Sequence, residues 1–222
     1  MSVKVPKLRP GEVLVLRGCE ERDGKLYGHG GFVWPRKGRV SAPDWSPGPE
    51  CGGGLHGLLR GCGDAGLLTD GVYLLVAVQA AGVVALGGKC KFPRGRVVFA
   101  GSRDDAVAIL AEVYPNAPGV YRTATAGDEG TATAGYRGTA TAGYRGTATA
   151  GDRGTAAAGD RGTATAGDKG TATAGYRGEL RIRWHDGARF RCAVGYVGED
   201  GILPNVAYVV RGGKIARKNG GA

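Results

Sequence analysis

The sequence predicts a mainly β protein organised around a short two-sided octapeptide β-solenoid, about two repeats per coil. A small α+β N-terminal domain precedes the solenoid and a C-terminal β-hairpin cap follows it. Three observations predict this. Residues 123–177 hold seven copies of one octapeptide, opened by Thr123, Thr131, Thr139, Thr147, Thr155, Thr163 and Thr171. Such fixed self-similarity points to a repeat architecture. Glycine fills 44 of the 222 positions, and only about a third of these lie in the repeat, so the flanks are turn-rich as well. The flanks also carry short runs of strand formers, among them VYLLVAV at 72–78 and the alternating ELRIRW at 179–184.

The octapeptide reads Thr-Ala-Thr-Ala-Gly, then Asp or Tyr, a charged residue, and Gly. Three structures compete for it. A disordered linker is one, because the composition buries little apolar area. A helix is a poor second, because two glycines in every eight residues cost about 1 kcal/mol each relative to Ala. A β-solenoid satisfies the pattern best. Thr favours strands, and Gly supplies the positive φ that tight corners need. Eight residues are too few to close a coil, so two octads make one, giving about three and a half coils that rise about 4.8 Å each.

Side chains alternate faces along a strand. A thin roll has room inside for methyl groups, which places Ala in and Thr out. The outward set is Thr123, Thr125, Thr131, Thr133, Thr139, Thr141, Thr147, Thr149, Thr163, Thr165, Thr171 and Thr173. Ala157, where another copy has Thr, falls at a tolerant outward position. The Thr-x-Thr ranks would repeat about every 6.7 Å along the strand and about every 4.8 Å between coils.

The turns form two edges. Arg137, Arg153 and Lys169 line one; Arg145, Arg161 and Arg177 line the other, with Glu129 opening that series. Asp128, Asp152, Asp160 and Asp168 offset like-charge repulsion. Tyr136, Tyr144 and Tyr176 can stack on guanidinium groups. Two uses are open: a solvated, charge-balanced corner, or an aromatic and basic edge that binds a polyanion weakly or meets a protein partner.

The expected division is 1–118, 119–178 and 179–222. In the first, 11–19 reads as a strand with a turn at Asp23-Gly24, 31–35 as a short strand and 36–50 as an irregular loop. Strands follow at 71–79, 82–88 and 95–101. The run Val72–Val78 reads as buried on both faces. Ser102 and Asp105 form a capping-box variant before a helix near 103–114 that Pro115 ends. In the third, 179–184 and 188–197 form a hairpin about His185-Asp186-Gly187, and a further strand pair turns at Gly212-Gly213. Capped ends leave fewer open strand edges.

The net charge of +10 divides as +4, +2 and +4 over these segments, with no polybasic arm. That argues against a dedicated nucleic-acid binder. No apolar run reaches a membrane span, and MSVKVPKLRP lacks a signal-peptide core, so the cytoplasm is the default expectation. Five cysteines without a C-x-x-C give no disulfide framework. Cys51, His56 and Cys62, with Cys90, are weak zinc candidates at a spacing that matches no standard ligand pattern. Cys51 with His56 is also a possible nucleophile and base pair. No cofactor is expected.

At 51–57 (CGGGLHG), 87–98 (GGKCKFPRGRVV) and 193–205 (AVGYVGEDGILPN) the chain resembles octapeptide-repeat proteins often found in phage and prophage gene sets. That resemblance implies the solenoid and a possible place in a phage-related particle, but no activity. The small-residue strands also look like the β-roll heads of trimeric bacterial adhesins, although those have a longer repeat. Arg17 on an early strand and the Gly-Leu-His segment at His56 resemble a diverged ADP-ribosyltransferase-like fold. The Thr-x-Thr ranks resemble the arrays of solenoid antifreeze proteins. The reading taken from the sequence is a non-enzymatic structural protein that assembles with itself, as an oligomer or filament, or with a protein partner. Ice binding and the ADP-ribosyltransferase-like enzyme are the alternatives.

Overall fold

The computed structural model describes residues 4–219. The chain divides near residue 119 into two compact units.

In the first unit, β1 (Glu12–Arg22) turns at Asp23-Gly24 into β2 (Lys25–Tyr27), with φ of 49° and 72° at the two turn residues. Both values are left-handed, as a tight hairpin turn requires. The strands β3 (Val33–Trp34), β4 (Gly38–Ser41), β5 (Leu55–Leu59), β6 (Val72–Gln79), β7 (Val84–Ala85), β8 (Cys90–Phe92) and β9 (Arg94–Gly101) follow. The main sheet runs β4-β9-β6-β1-β5-β8-β7, and β2 and β3 extend from β1. All its pairings are antiparallel. Residues 38–41, expected within an irregular loop, instead form this edge strand. Pairing with β9 overrides a locally Pro- and Ser-rich context.

Tyr73 to Val78 of β6 are all buried, so the apolar run is covered on both faces. Helix α1 (Arg103–Val113) packs against β6 and β9 with Ala106, Ile109 and Leu110 buried. Its cap is the expected one: the Asp105 N–H donates to Ser102 Oγ at 3.1 Å. The Leu14 N–H donates to the Tyr114 hydroxyl at 2.8 Å, tying the end of the helix to β1.

The second unit is the solenoid and its cap. The repeats form β10 (Thr123–Ala126), β11 (Thr131–Ala134), β12 (Thr139–Ala142), β13 (Thr147–Ala150), β14 (Thr155–Ala158), β15 (Thr163–Ala166) and β16 (Thr171–Ala174). Then come β17 (Glu179–His185), β18 (Phe190–Tyr196), β19 (Tyr208–Arg211) and β20 (Lys214–Arg217). Alternate repeats pair in parallel and in register, Thr123 with Thr139 and Thr131 with Thr147, so one coil takes 16 residues. Two sheets result, β10-β12-β14-β16-β19-β20 and β11-β13-β15-β17-β18. The roll continues past the repeat: β17 pairs with β15 in parallel as an eighth rung, completing four turns.

The inner alanines form the core. Ala140, Ala148, Ala156, Ala164 and Ala172 are all fully buried. At the last rung Leu180 and Ile182 take the place of alanines and pack with Val197, Ile202 and Tyr208 of the cap. Larger side chains fill the space where no further coil supplies methyl groups. The cap strands β18, β19 and β20 all run antiparallel to their neighbours. At the β17–β18 turn, the Asp186 carboxylate accepts from the Arg189 and Ala188 N–H groups and pairs with Arg191. These contacts, the backbone donors first, hold it well below the usual carboxylate range.

Candidate functional site

Two regions collect the chemically distinctive residues. One is the surface of the solenoid and the other is a cavity in the N-terminal unit.

The threonines point outward, opposite the alanines, but they are not equally presented. On the second sheet Thr131, Thr147 and Thr163 form one column and Thr133, Thr149 and Thr165 the next, all in register and none buried. Glu179 and Arg181 end these columns on β17, joined by an ion pair of 2.9 Å. On the first sheet the columns are Thr123, Thr139, Thr155 and Thr171, and Thr125, Thr141, Ala157 and Thr173. Ala157 interrupts that array, and Thr171, expected on the surface, is only 7% exposed. Thr171 lies on β16, the strand that the cap strand β19 borders.

The corners follow a different logic from the expected one. The residue with positive φ is the charged one at position seven, with φ between 52° and 56° at Glu129, Arg137, Arg145, Arg153, Arg161, Lys169 and Arg177. The repeat glycines do not adopt it. A left-handed non-glycine residue is strained. At Glu129, Arg137, Arg145, Arg153 and Arg161 a backbone bond to the next coil fixes it: Arg137 N–H donates to Asp152 O at 2.9 Å and Arg145 N–H to Asp160 O at 2.9 Å. The glycines serve close approach instead. A Cβ on Gly143 would come within 2.3 Å of Asp128 Oδ1, and one on Gly138 within 2.7 Å of the Arg122 carbonyl oxygen.

Three of the four Asp residues at position six are structural. Asp128 Oδ1 accepts from the Tyr144 N–H, Asp152 Oδ1 from the Asp168 N–H and Asp160 Oδ1 from the Tyr176 N–H, each at 2.8 Å. Each carboxylate therefore stitches one coil to the next. The sequence carried this signal as Asp recurring at a corner position, the residue type whose short acceptor bonds nearby backbone. The three tyrosines lie under their own neighbours: Arg137, Arg145 and Arg177 sit 5.7, 5.5 and 5.3 Å from the rings of Tyr136, Tyr144 and Tyr176. Arg161 also reaches the Tyr144 hydroxyl at 3.4 Å. Tyr176 is 56% exposed.

In the N-terminal unit a cavity of about 780 Å³ is lined by Arg17, Phe32, Trp34, Cys51, His56 and Lys89, among others. Arg17 stands on β1 and His56 on β5, which pair with each other. The segment 52–54 forms part of the wall, with Gly54 at φ 148° and the Trp45 ring 3.0 Å from where a Cβ on it would lie. Lys91, fully buried, donates to the carbonyls of Glu50 and Gly52 at 2.9 and 3.1 Å and so holds this segment in place. Cys51 and His56 share the cavity, but the thiol's bonded partner is Lys89, at 2.9 Å, rather than the imidazole. That ammonium pulls the Cys51 pKa down. Burial, then Lys89 and Arg17, push the His56 pKa down. The weak zinc grouping is not formed: among the described residues no three His, Cys, Asp or Glu side chains come close enough to hold a metal ion. Cys90 is buried, and its thiol is raised to about 11 by burial. No described helix is long and apolar enough to cross a membrane.

Sequence reasoning missed Phe32, Trp34 and Lys89 as cavity residues. Phe32 and Trp34 share the segment at β3, but Lys89 lies just before β8, and nothing in the sequence links that segment to Lys89 or to Arg17 and His56.

No family model and no solved structure matches the chain. It is similar to proteins named ice nucleation protein. That of Pseudomonas syringae is 34% identical over 100 residues, 43% of this chain and 8% of the relative. That of Xanthomonas campestris pv. translucens is 35% identical over 109 residues, 47% and 7%. That of Pseudomonas fluorescens is 31% identical over 110 residues, 47% and 9%. The chain thus spans less than a tenth of the length of these relatives, and what it has in common with them is a stretch of sequence similar to ice nucleation proteins.

Proposed function

We propose that this chain binds ice through the flat threonine array of its solenoid. The observation that carries the reading is the unbroken array on the second sheet, Thr131, Thr147 and Thr163 beside Thr133, Thr149 and Thr165, in parallel register. A parallel in-register sheet repeats one side chain about every 4.8 Å across strands and about every 6.7 Å along them. Each threonine offers a methyl group and a hydroxyl at these fixed points, so adjacent water is ordered on a two-dimensional grid. The similarity to ice nucleation proteins supports this reading.

The array is small. The relatives are more than ten times as long as the segment that aligns. A patch of three strands can adsorb to a growing ice face but is a poor template for a new crystal. The expected behaviour of the single chain is therefore slowed and reshaped ice growth, with little rise in the temperature of spontaneous freezing. Thermal hysteresis and crystal shape measured at millimolar protein test this. Zero hysteresis together with unaltered growth sinks the reading.

A second reading, assembly with further copies, is favoured by β18. This strand is the terminal strand of its sheet, and its outward row of Phe190, Cys192, Val194 and Tyr196 is exposed. An open edge with an apolar row invites pairing with another strand. A second copy meeting it edge to edge would join the two sheets into one, with the threonine-free strands β17 and β18 of each copy between the two arrays. Size exclusion with light scattering and negative-stain microscopy is the measurement: an oligomer or filament lost in Val194→Lys supports it, and a monomer at every concentration removes it.

A further inference from the structure

We propose that the cavity of the N-terminal unit is a binding site for a small molecule that carries an oxyanion, phosphate or carboxylate, on a flat apolar body, with Arg17 as its anchor.

Arg17 is 6% exposed, yet none of the ion pairs among the described residues includes it. Its Nε is buried without a hydrogen-bond partner. A buried guanidinium without a counter-charge is costly, and such groups are normally paired. The nearby Cys19 thiol does not balance it, because burial raises that thiol to about 11 and keeps it neutral. His56 Nε2 is a second buried polar atom without a partner, and it lines the same cavity.

The surroundings fit one kind of occupant. Lys89 adds a second cation on the cavity wall. Asp44 is the one carboxylate among the lining residues, and it is exposed. Phe32 and Trp34 supply apolar surface, with their rings edge to face at 5.4 Å, and the Arg17 guanidinium lies 5.9 Å from the Trp34 ring centre. A planar guanidinium braced on an indole presents its fork to two oxygens of one oxyanion. A volume of about 780 Å³ holds more than a free ion and lies in the range of small-molecule pockets. The ligand therefore has a flat apolar part against the rings and an anionic end at Arg17, Lys89 and His56. This inference concerns the N-terminal unit and is independent of the ice-binding reading.

The test uses Cys51 as a reporter, because its thiol lines the cavity while Cys192, in the other unit, is also exposed. The native full chain is alkylated with iodoacetamide and each cysteine followed by peptide mass spectrometry. Phenyl phosphate is the probe, inorganic phosphate the anion alone, and benzyl alcohol the uncharged flat body. Phenyl phosphate is expected to protect Cys51 and leave Cys192 unchanged. At ten times its Kd the protection is about elevenfold, from the factor 1 + [L]/Kd. Inorganic phosphate protects only at higher concentration, and benzyl alcohol does not protect. Arg17→Met, a change of a kind that buried charges often tolerate, abolishes the protection. Equal protection by benzyl alcohol and phenyl phosphate, protection that persists in folded Arg17→Met, or no protection at all overturns the proposal. The first two comparisons use the unaltered chain, so the test does not depend on the variant folding.

Discussion

Ala148 and Thr149 are neighbours on β13, the central strand of the unbroken threonine array, and they separate stability from activity. Ala148 is fully buried, with Ala132 and Ala164 beside it in register and the alanines of the other sheet packed in the same core. Ala148→Leu adds three carbons where the roll has space for one methyl group. Overpacking of this kind costs about 1–3 kcal/mol. For a unit of about 100 residues, 1 kcal/mol moves Tm by about 4–8 °C. A fall of at least about 4 °C is therefore expected. Thr149 faces outward between Thr133 and Thr165. Thr149→Lys leaves the core untouched, so its stability change should stay within about 0.5 kcal/mol. Its long side chain rises above the plane of methyls and keeps a flat ice face off all three strands, so hysteresis should fall by more than half. Differential scanning calorimetry and thermal hysteresis on both variants decide the matter. If Thr149→Lys destabilises more than Ala148→Leu, the assignment of inside and outside is wrong. If folded Thr149→Lys keeps full hysteresis, the ice face lies elsewhere, and the interrupted sheet is the one to test through Thr141→Lys.

Two further outcomes follow from the contacts. Asp152→Ala removes the acceptor of the Asp168 N–H and the partner of Arg183 at 3.1 Å, and should cost about 1 kcal/mol in urea denaturation, while Asp168→Ala stays within about 0.5 kcal/mol. Similar losses at both sites would refute the coil-to-coil stitch. Burial raises the thiols of Cys19 and Cys90 to about 11 from 9.0. The folded state holds these protons more tightly than the unfolded state, so stability is level below pH 9 and falls as pH rises towards 11. Urea midpoints across that range should show the fall, and Cys19→Ala with Cys90→Ala should flatten it; an equal fall in the double variant assigns it to other groups.

The solenoid was legible because its physics is local. A strand alternates faces every residue, so Thr-Ala-Thr-Ala already separates an outside from an inside. Eight residues cannot enclose a core, so two octads per coil followed from length alone. The hairpin at 179–197 and the cap on α1 were legible for the same reason, since each depends on residues close in the chain. The corners were read with the wrong physics. Glycine was expected to supply positive φ, whereas the arginines adopt it and the glycines make room for the coil below. That distinction depends on contacts 15 or 16 residues away in sequence, such as Arg137 with Asp152 and Gly143 with Asp128.

The residues alone set the repeat as a roll with alanine inside, threonine outside and charged corners, because composition and period leave few other ways to bury the methyl groups. Tertiary structure decided which threonine sheet is unbroken, that Thr171 is buried, and that the first residues after the repeat form one more rung. It also brought Arg17, Trp34, His56 and Lys89 to one cavity. Those residues lie on β1, β3 and β5 and just before β8, and only the antiparallel sheet sets their distances. A repeat is read from its period, whereas a site assembled from distant strands has no period to read.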